Sequence, residues 1–342
     1  MKTYILPKFD LTSVFDAISK LEHIIPEEEF VFDFTNVRGC DPLPMLLVGA
    51  SIRRFTEKHP NTYFVARNFN HMSYAGTMGF FKYMAPKINI GKRPGEAKGS
   101  NSYIPITEIN VSKLSSEMYD KGIYLPLGNI IERKAATLSQ VVDRGNPELH
   151  KLLTYLLREI IRNTPEHAHT NTLWVCGQYW PTYELAEIAL IDEGIGIYKS
   201  LTNNVTHRQY INNNAQALQW ALKAGISTTF RPSYSPKDDD TWTNSGFGLY
   251  MVSKICKELN GSFCIASHND YIIMGKNDEV YGKTFFNGTA ISLRISTKGI
   301  LNAQNILNKI SEEGEAEAKT IRTAFKSAST PSKGLMEQLN II

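Results

Sequence analysis

The chain has 342 residues, of which 42% are hydrophobic and 21% charged, a balance typical of globular proteins and sufficient for two hydrophobic cores. The formal net charge is only +3 and the basic residues are dispersed, so no nucleic-acid partner is indicated. The four cysteines form no C-x-x-C pair, which argues against a zinc knuckle or a disulfide framework. No segment approaches about 18 uninterrupted apolar residues, and the N-terminal residues lack the apolar run of a signal peptide. We therefore expect a cytoplasmic protein without a membrane segment.

The first predicted unit is a β-α-β segment. Hydrophobic periodicity predicts a strand over residues 30–34, an amphipathic helix from about 43 to 58 and a strand over 62–66. The following stretch APKINIGKRPGEAKGSNSY is rich in Pro, Gly, Lys and Ser, as connectors between domains are. A boundary near Lys98 predicts a smaller α/β domain over residues 1–98.

The second predicted unit spans residues 99–298 and mixes strands with helices. Residues 299–342 are predicted to be a tail of one or two Glu/Lys/Ala-rich helices. The patterns predict strands in YIPITEINV and over 173–178, 185–191, 262–266 and 289–295, and helices over 129–142, 147–163 and 248–259.

The helix predicted over 147–163 carries two polar residues on one face. In LLREIIRNTPEHAH, Glu159 and Asn163 are four residues apart and project from the same side. An amide oxygen can be one of the few protein ligands of Mg²⁺, which completes its shell with phosphate oxygens and water. A neighbouring carboxylate can orient or deprotonate an attacking group. The simpler alternative is a polar helix face in water, without a catalytic role.

The same stretch ends in EHAH, which offers Glu166, His167 and His169 as zinc ligands. A structural zinc site needs four ligands, and no further Cys/His pair at ligand spacing accompanies these three. Zinc is therefore the weaker interpretation of this segment.

The stretch LIDEGIGIYKSL places Asp192 at the end of an apolar strand, followed by Gly194 and Gly196. A buried carboxylate is costly unless a donor lies nearby, and an adenine amino group is a suitable donor. Glycines after it allow a base to lie against the backbone. The alternative is an ordinary turn after a strand.

A third stretch, NSGFGLYMVSKICKELNG, places Gly246 and Gly248 directly before an amphipathic helix. Free amides at a helix start attract phosphate, and glycine permits close approach. A fourth stretch, NGTAISLRI, begins a strand at Thr289. The order of these four stretches is more informative than any one of them.

In this order the four stretches resemble the GHKL ATPase family, whose Bergerat fold occurs in gyrase, heat-shock chaperones, histidine kinases and mismatch-repair proteins. The resemblance covers residues 129–295. It implies an α/β (α+β) sandwich with a mixed sheet and an ATP lid, and ATP and Mg²⁺ as ligands. By this resemblance Glu159 is the catalytic base, Asn163 the magnesium ligand and Asp192 the partner of the adenine amino group.

The remaining site residues also follow from the resemblance. Gly194 and Gly196 would form the turn beside the base, and Thr289 would assist the adenine pocket. The resemblance also assigns Gly246, Gly248 and Leu249 to the phosphate side, Ser227 and Thr228 in ALKAGISTTF to the lid entrance, and residues 231–244 to a mobile lid. One departure is Pro165, which follows Asn163 by two residues and is expected to kink or end the helix.

The N-terminal unit resembles a STAS domain of the anti-sigma-factor-antagonist type over residues 28–84, as the stretch FDFTNVRGCDPLPMLLVGASI indicates. A generic β-α-β scaffold is an equal alternative. In the loop that would carry a phosphorylatable hydroxyl, Asp41 is followed by Pro42 and Leu43. Neither can accept a phosphoryl group, so phosphorylation at that point is not expected.

Three functions remain open from the sequence. The first is an ATP-binding, Mg²⁺-dependent ATP-hydrolysing regulator that acts through its lid on a protein partner. The second is a serine/threonine kinase of the anti-sigma type, because EIIRNTPEHAH is similar to that subgroup's motif. The third is a module that senses ATP without chemistry. Pairing of two copies is common in the family that the chain resembles.

Overall fold

The N-terminal part of the chain forms a three-stranded parallel sheet in the order β1-β2-β3. The structure, a computed structural model, describes residues 1–231 and 245–328. The elements of this part are β1 (Lys2–Ile5), α1 (Leu11–Glu22), β2 (Glu29–Asp33), α2 (Pro42–Lys58), β3 (Tyr63–Arg67), α3 (Ser73–Met78) and α4 (Phe80–Met84). The predicted β-α-β segment is thus β2-α2-β3. Neither β1 nor α1 was predicted from the sequence.

The second part contains most of the helices and a second sheet. Its elements are β4 (Tyr103–Asn110), α5 (Val111–Asp120), α6 (Leu127–Val142), α7 (Pro147–Asn163), β5 (Thr172–Trp180), β6 (Leu185–Asp192), α8 (Gly196–Thr202), α9 (Val205–Arg208), α10 (Asn214–Ala221), α11 (Gly248–Glu258), β7 (Ser262–Met274), β8 (Glu279–Ser296) and α12 (Ala303–Thr320). The predicted tail is one helix, α12, as far as residue 328. Within the described ranges no helix is both long and apolar enough to cross a membrane.

The second sheet has the order β4-β5-β6-β8-β7, and each neighbouring pair in the described residues is antiparallel. The prediction of a mixed sheet is therefore wrong. Residues 181–184 and 275–278 are the short connections of the β5-β6 and β7-β8 hairpins, and short connections require antiparallel neighbours.

The two faces of this second sheet are covered by different parts of the chain. Along β6, Ile188 and Leu190 face a core formed with α6, α7 and α11, whereas Ala189 and Ile191 face a core that includes α1 and α2. Such alternation is expected for a strand with both faces buried. The two predicted domains thus share a hydrophobic core, and residue 98 as their boundary stays a prediction.

Contacts between aromatic and charged side chains add to this shared core. Phe15 of α1 stacks on Tyr271 of β7 with ring centroids 4.1 Å apart. The guanidinium of Arg53 on α2 lies 4.8 Å from the ring centroid of Tyr83 and 5.4 Å from that of Trp174 on β5. The N-terminal part is therefore the back layer of the second sheet.

Candidate functional site

A small cavity lies where α7 and β6 end and where α8 and α11 begin. Its interior volume is about 40 Å³, enough for only a few water molecules. Apolar side chains form most of its wall. Its lining includes five residues predicted from the sequence: Asn163, Asp192, Gly196, Leu249 and Thr289. The structure therefore brings together residues from all four stretches that the sequence analysis singled out.

Asp192 is buried at the edge of this cavity. It is 9% exposed, and it pairs with Thr289 in the β6-β8 register. Burial raises the pKa of Asp192 to about 6, although hydrogen bonds from Gly194 and Thr289 lower it. The bond from the Gly194 amide to Asp192 Oδ1 is 2.9 Å long. The burial of Asp192 agrees with the expected buried carboxylate at the end of β6, and an ordinary turn after the strand stays an alternative.

Gly288, which was not predicted as a site residue, allows the close pairing at Asp192. Its φ is +116°, and a Cβ there would lie 2.0 Å from the carbonyl oxygen of Asp192. Larger residues are therefore excluded at this position. Its position directly before Thr289 in the stretch NGTA could have indicated that Gly288 belongs to the site.

The turn after Asp192 is tightly packed on both sides. A Cβ at Gly194 would lie 2.1 Å from the carbonyl oxygen of Ala168, whereas one at Gly196, whose φ is +74°, would lie 2.5 Å from His268 Nε2. Ser267 Oγ accepts a 3.0 Å hydrogen bond from the Ile197 amide.

His268 also holds this turn, since its Nε2 lies 3.0 Å from the carbonyl oxygen of Ile195. Neither His268 nor its neighbour Ser267 was predicted from the sequence. They lie at an irregularity in the pairing of β7 with β8, and His268 has a φ of +51°. A polar pair that interrupts the apolar pattern of FCIASHNDYIIM was the signal for them.

Glu159 is buried and ion-paired. It is 6% exposed, and its Oε1 accepts hydrogen bonds from Nε (3.2 Å) and Nη2 (2.8 Å) of Arg158, which is itself 1% exposed. The interpretation of Glu159 as part of a solvated helix face is therefore wrong. Its other oxygen, Oε2, would lie 2.9 Å from a Cβ at Gly248, so α11 begins directly against this carboxylate.

Asn163 is the last residue of α7, four residues beyond Glu159. It lines the cavity, whereas Glu159 is not among the lining residues. The side-chain Nδ2 of Asn163 is buried and has no hydrogen-bond partner in the described part of the chain. A buried amide without a partner is rare in folded proteins and indicates a site for a water, an ion or a ligand.

Beyond Asn163 the helix changes to a π-helical turn, Thr164–Ala168, which contains Pro165. The expected end of the helix is confirmed. Within the turn, Glu166 Oε1 accepts a 2.9 Å hydrogen bond from Arg162 Nε, and His167 Nδ1 lies 3.0 Å from Thr228 Oγ1. Burial lowers the pKa of His167.

The zinc interpretation of EHAH is wrong. Residues 1–231 and 245–328 contain no group of three or more His, Cys, Asp or Glu side chains that could hold a metal ion.

Ser227 and Gly246 flank the predicted lid, whose residues 232–244 lie outside the described part of the chain. Ser227 is 2% exposed, and its carbonyl oxygen lies 2.8 Å from His207 Nε2. Gly246, whose φ is +73°, accepts a 3.1 Å hydrogen bond from the Gly225 amide. The two flanks of the lid segment are therefore tied to each other, and Thr228 meets the cavity wall through His167.

The N-terminal part contacts the turn after Asp192. Arg53 Nη2 of α2 lies 2.5 Å from Glu193 Oε2, the carboxylate next to Asp192 in sequence. The Arg53 side chain is 13% exposed. The Glu193 side chain is 40% exposed, so solvent screens this ion pair in part.

The chain was compared with models of protein families, with curated proteins and with solved structures, and none of the three comparisons gave a significant match.

Proposed function

We propose that this protein binds ATP and hydrolyses it in a Mg²⁺-dependent reaction, with a Bergerat-type arrangement of its second part. The observation that carries the proposal is the convergence of four separated stretches on one cavity, with the buried carboxylate of Asp192 at its edge. The cavity is lined by Asn163, Asp192 and Gly196, Leu249 and Thr289, one or two residues from each of the four stretches that carry the GHKL resemblance.

The adenine ring is assigned to the cavity. Asp192 would accept a hydrogen bond from its amino group. The ring would pack against the apolar side chains that line the cavity, namely Ile160, Ile197, Leu249 and Ile291. A base needs more space than about 40 Å³, so binding requires the walls to separate. Ligand binding is therefore coupled to movement near the start of α11.

Magnesium fits the same site through Asn163. The side chain of Asn163 lines the cavity, where its amide oxygen would bind the ion. One protein ligand is sufficient where phosphate oxygens and water complete the shell. When bound, Mg²⁺ supplies charge neutralisation at the transferring phosphoryl group.

A second candidate function is ATP sensing without hydrolysis. The observation in its favour is the pairing of Glu159 with Arg158, because the two hydrogen bonds occupy Oε1 of the candidate base and hold it against a cation rather than an attacking group. We also propose that the N-terminal part has a STAS-like fold. In either case, nucleotide binding would change the surface with which the N-terminal part contacts a protein partner. Its Arg53 contacts the turn beside the cavity.

The test begins with calorimetric titration of Mg²⁺-ATP into wild type, Asp192→Asn and a matched control, Asp270→Asn. Asp270 is 5% exposed and pairs with Lys283 away from the cavity. We expect Asp192→Asn to weaken binding about tenfold or more, because a charged acceptor is lost, and Asp270→Asn to bind normally. Equal affinity of wild type and Asp192→Asn would contradict the adenine assignment.

The fate of the γ-phosphoryl group then separates the remaining functions. With radiolabelled ATP, release of free phosphate supports the hydrolase. A labelled partner protein supports the kinase, and binding without either product supports the sensor.

A further inference from the structure

A second and much larger opening lies at the carboxyl edge of the three-stranded sheet. This cleft has a volume of about 1060 Å³ and is formed by the loops after β2 and β3 together with the end of β5. Gln178 and Trp180 of β5 line the cleft from one face of the five-stranded sheet. Tyr179, which lies between them in sequence, belongs to the core on the other face of that sheet. The cleft and the cavity at Asp192 are therefore on opposite faces.

The cleft contains a cation that is held in place by its own loop. Arg38 Nη1 donates to the carbonyl oxygens of Thr35 (2.9 Å) and Val37 (2.8 Å). None of the carboxylates in the described part of the chain forms an ion pair with Arg38. A guanidinium that is oriented but has no anion is prepared to bind one, because little side-chain entropy remains to be lost.

The acids near the cleft are already occupied. Asp33 accepts hydrogen bonds from the Thr35 amide (2.8 Å), the Thr35 hydroxyl (2.6 Å) and Asn68 Nδ2 (3.0 Å), which hold its pKa below the usual value. Asp41 pairs with Arg294 Nη2 at 2.9 Å. Neither carboxylate therefore competes for Arg38.

The opposite wall of the cleft is aromatic. The ring of Trp180 lines it, and the guanidinium of Arg294 lies 5.4 Å from the ring centroid. Tyr74 also lines the cleft, and its hydroxyl donates to Gln178 Oε1 at 2.9 Å. These contacts fix two aromatic rings, which suit a planar ligand.

We propose that this cleft binds a small organic anion, namely a carboxylate or a phosphate attached to a planar ring. Arg38 binds the anionic group, and Trp180 packs against the ring. The volume of the cleft is slightly above the range of roughly 300–1,000 Å³ for small-molecule sites, so a ligand of this class fits with room for further groups. This site is separate from the cavity at Asp192 and does not depend on ATP binding there.

The test uses phenyl phosphate, benzoate, inorganic phosphate and phenol as probes, titrated calorimetrically into the full chain. We expect binding of at least one aromatic anion, weaker binding of inorganic phosphate and none of phenol. The preference between phenyl phosphate and benzoate identifies the anionic group. Absence of binding by both aromatic anions overturns the proposal.

Variants then locate the site. Arg38→Gln should weaken binding about tenfold or more, whereas Arg93→Gln, at an exposed arginine outside the cleft, should not. Because Arg38 also supports its own loop, Trp180→Leu supplies an independent test. It should reduce the affinity for the aromatic anion to that for inorganic phosphate. Asp192→Asn should leave binding unchanged, and unchanged binding by both Arg38→Gln and Trp180→Leu would overturn the assignment.

Discussion

Arg158 donates two hydrogen bonds to Glu159, its neighbour in sequence, although adjacent residues of a helix do not normally face each other. Both side chains are almost fully buried, and Glu132 lies 3.8 Å from the same guanidinium. The candidate base is therefore held in a fixed position in which one oxygen is occupied. Its other oxygen is the one that is close to the start of α11.

The first prediction separates the roles of Glu159 and Asn163. If Glu159 activates the attacking group, Glu159→Gln should leave ATP affinity nearly unchanged and lower turnover by roughly a hundredfold or more. Asn163→Ala should weaken Mg²⁺-dependent nucleotide binding as well as turnover. Titration with a non-hydrolysable ATP analogue, with and without Mg²⁺, beside a phosphate-release assay measures both effects. Normal turnover by Glu159→Gln would show that Glu159 is only the partner of Arg158.

The second prediction concerns pH. Burial raises the pKa of Asp192 to about 6, so its carboxylate is protonated as the pH falls through that value. A neutral acid is a weaker acceptor for an adenine amino group. Affinity for adenosine, which avoids the titration of phosphates, should fall as the pH drops through about 6 and approach that of Asp192→Asn. Asp192→Asn should show weak binding that does not change between pH 5 and 8. Wild-type affinity that is constant over this range would contradict the role of Asp192.

Helices with local end signals could be predicted from the sequence. The bounds of α7 were predicted at both ends, because Asn146 caps it by accepting from the amides of Glu148 and Leu149, and Pro147 is its first residue. In contrast, β1 is only four residues long and is defined by its pairing with β2. The direction of each strand in the second sheet also depends on long-range pairing, which local periodicity does not encode.

In the candidate site, too, residues in local motifs could be predicted, whereas contacts that depend on burial or long-range pairing could not. Asn163, Asp192 and Thr289 were predicted from motifs, and the structure places them on one cavity. The pairing of Glu159 with Arg158 could not be predicted, because it depends on the burial of both side chains. The contact of His268 with the turn after Asp192 depends on an irregular pairing between two strands that are distant in sequence.

The third prediction compares two glycines. A Cβ at Gly194 would lie 2.1 Å from a backbone oxygen, that of Ala168, which cannot move without disturbing the π-helical turn. A Cβ at Gly248 would lie 2.9 Å from Glu159 Oε2, the end of a side chain. Gly194→Ala should therefore lower the melting temperature strongly. Gly248→Ala should fold normally but alter turnover, because Glu159 is displaced. Thermal unfolding and phosphate release measure the two effects, and equal stability of the two variants would contradict this account.

The last prediction concerns the ion pair between the two parts of the chain. Glu187 on β6 is 1% exposed and accepts hydrogen bonds from Arg294 and from Ser292 Oγ, the latter at 3.0 Å. Arg294 also donates a hydrogen bond to Asp41, which directly precedes α2 and so belongs to the N-terminal part. Burial raises the pKa of Glu187, whereas the charge of Arg294 lowers it. Arg294→Met removes that counter-charge and raises the pKa of Glu187 further. Breaking a fully buried pair costs about 3–5 kcal/mol, and this pair should cost less because the Arg294 side chain is 34% exposed and partly screened by solvent.

The sign of the pH dependence follows from linkage. An acid whose folded pKa is raised contributes stability that is fully present below the pKa of the unfolded chain and is lost as the pH rises through the folded value. The loss of unfolding free energy in Arg294→Met should therefore be larger at pH 8 than at pH 5. Denaturant unfolding at both values measures it, and adding Glu187→Gln should restore part of the stability at pH 8, because the unpaired charge is then absent. An equal loss at both pH values would mean that packing of the Arg294 side chain, rather than its charge, joins the two parts.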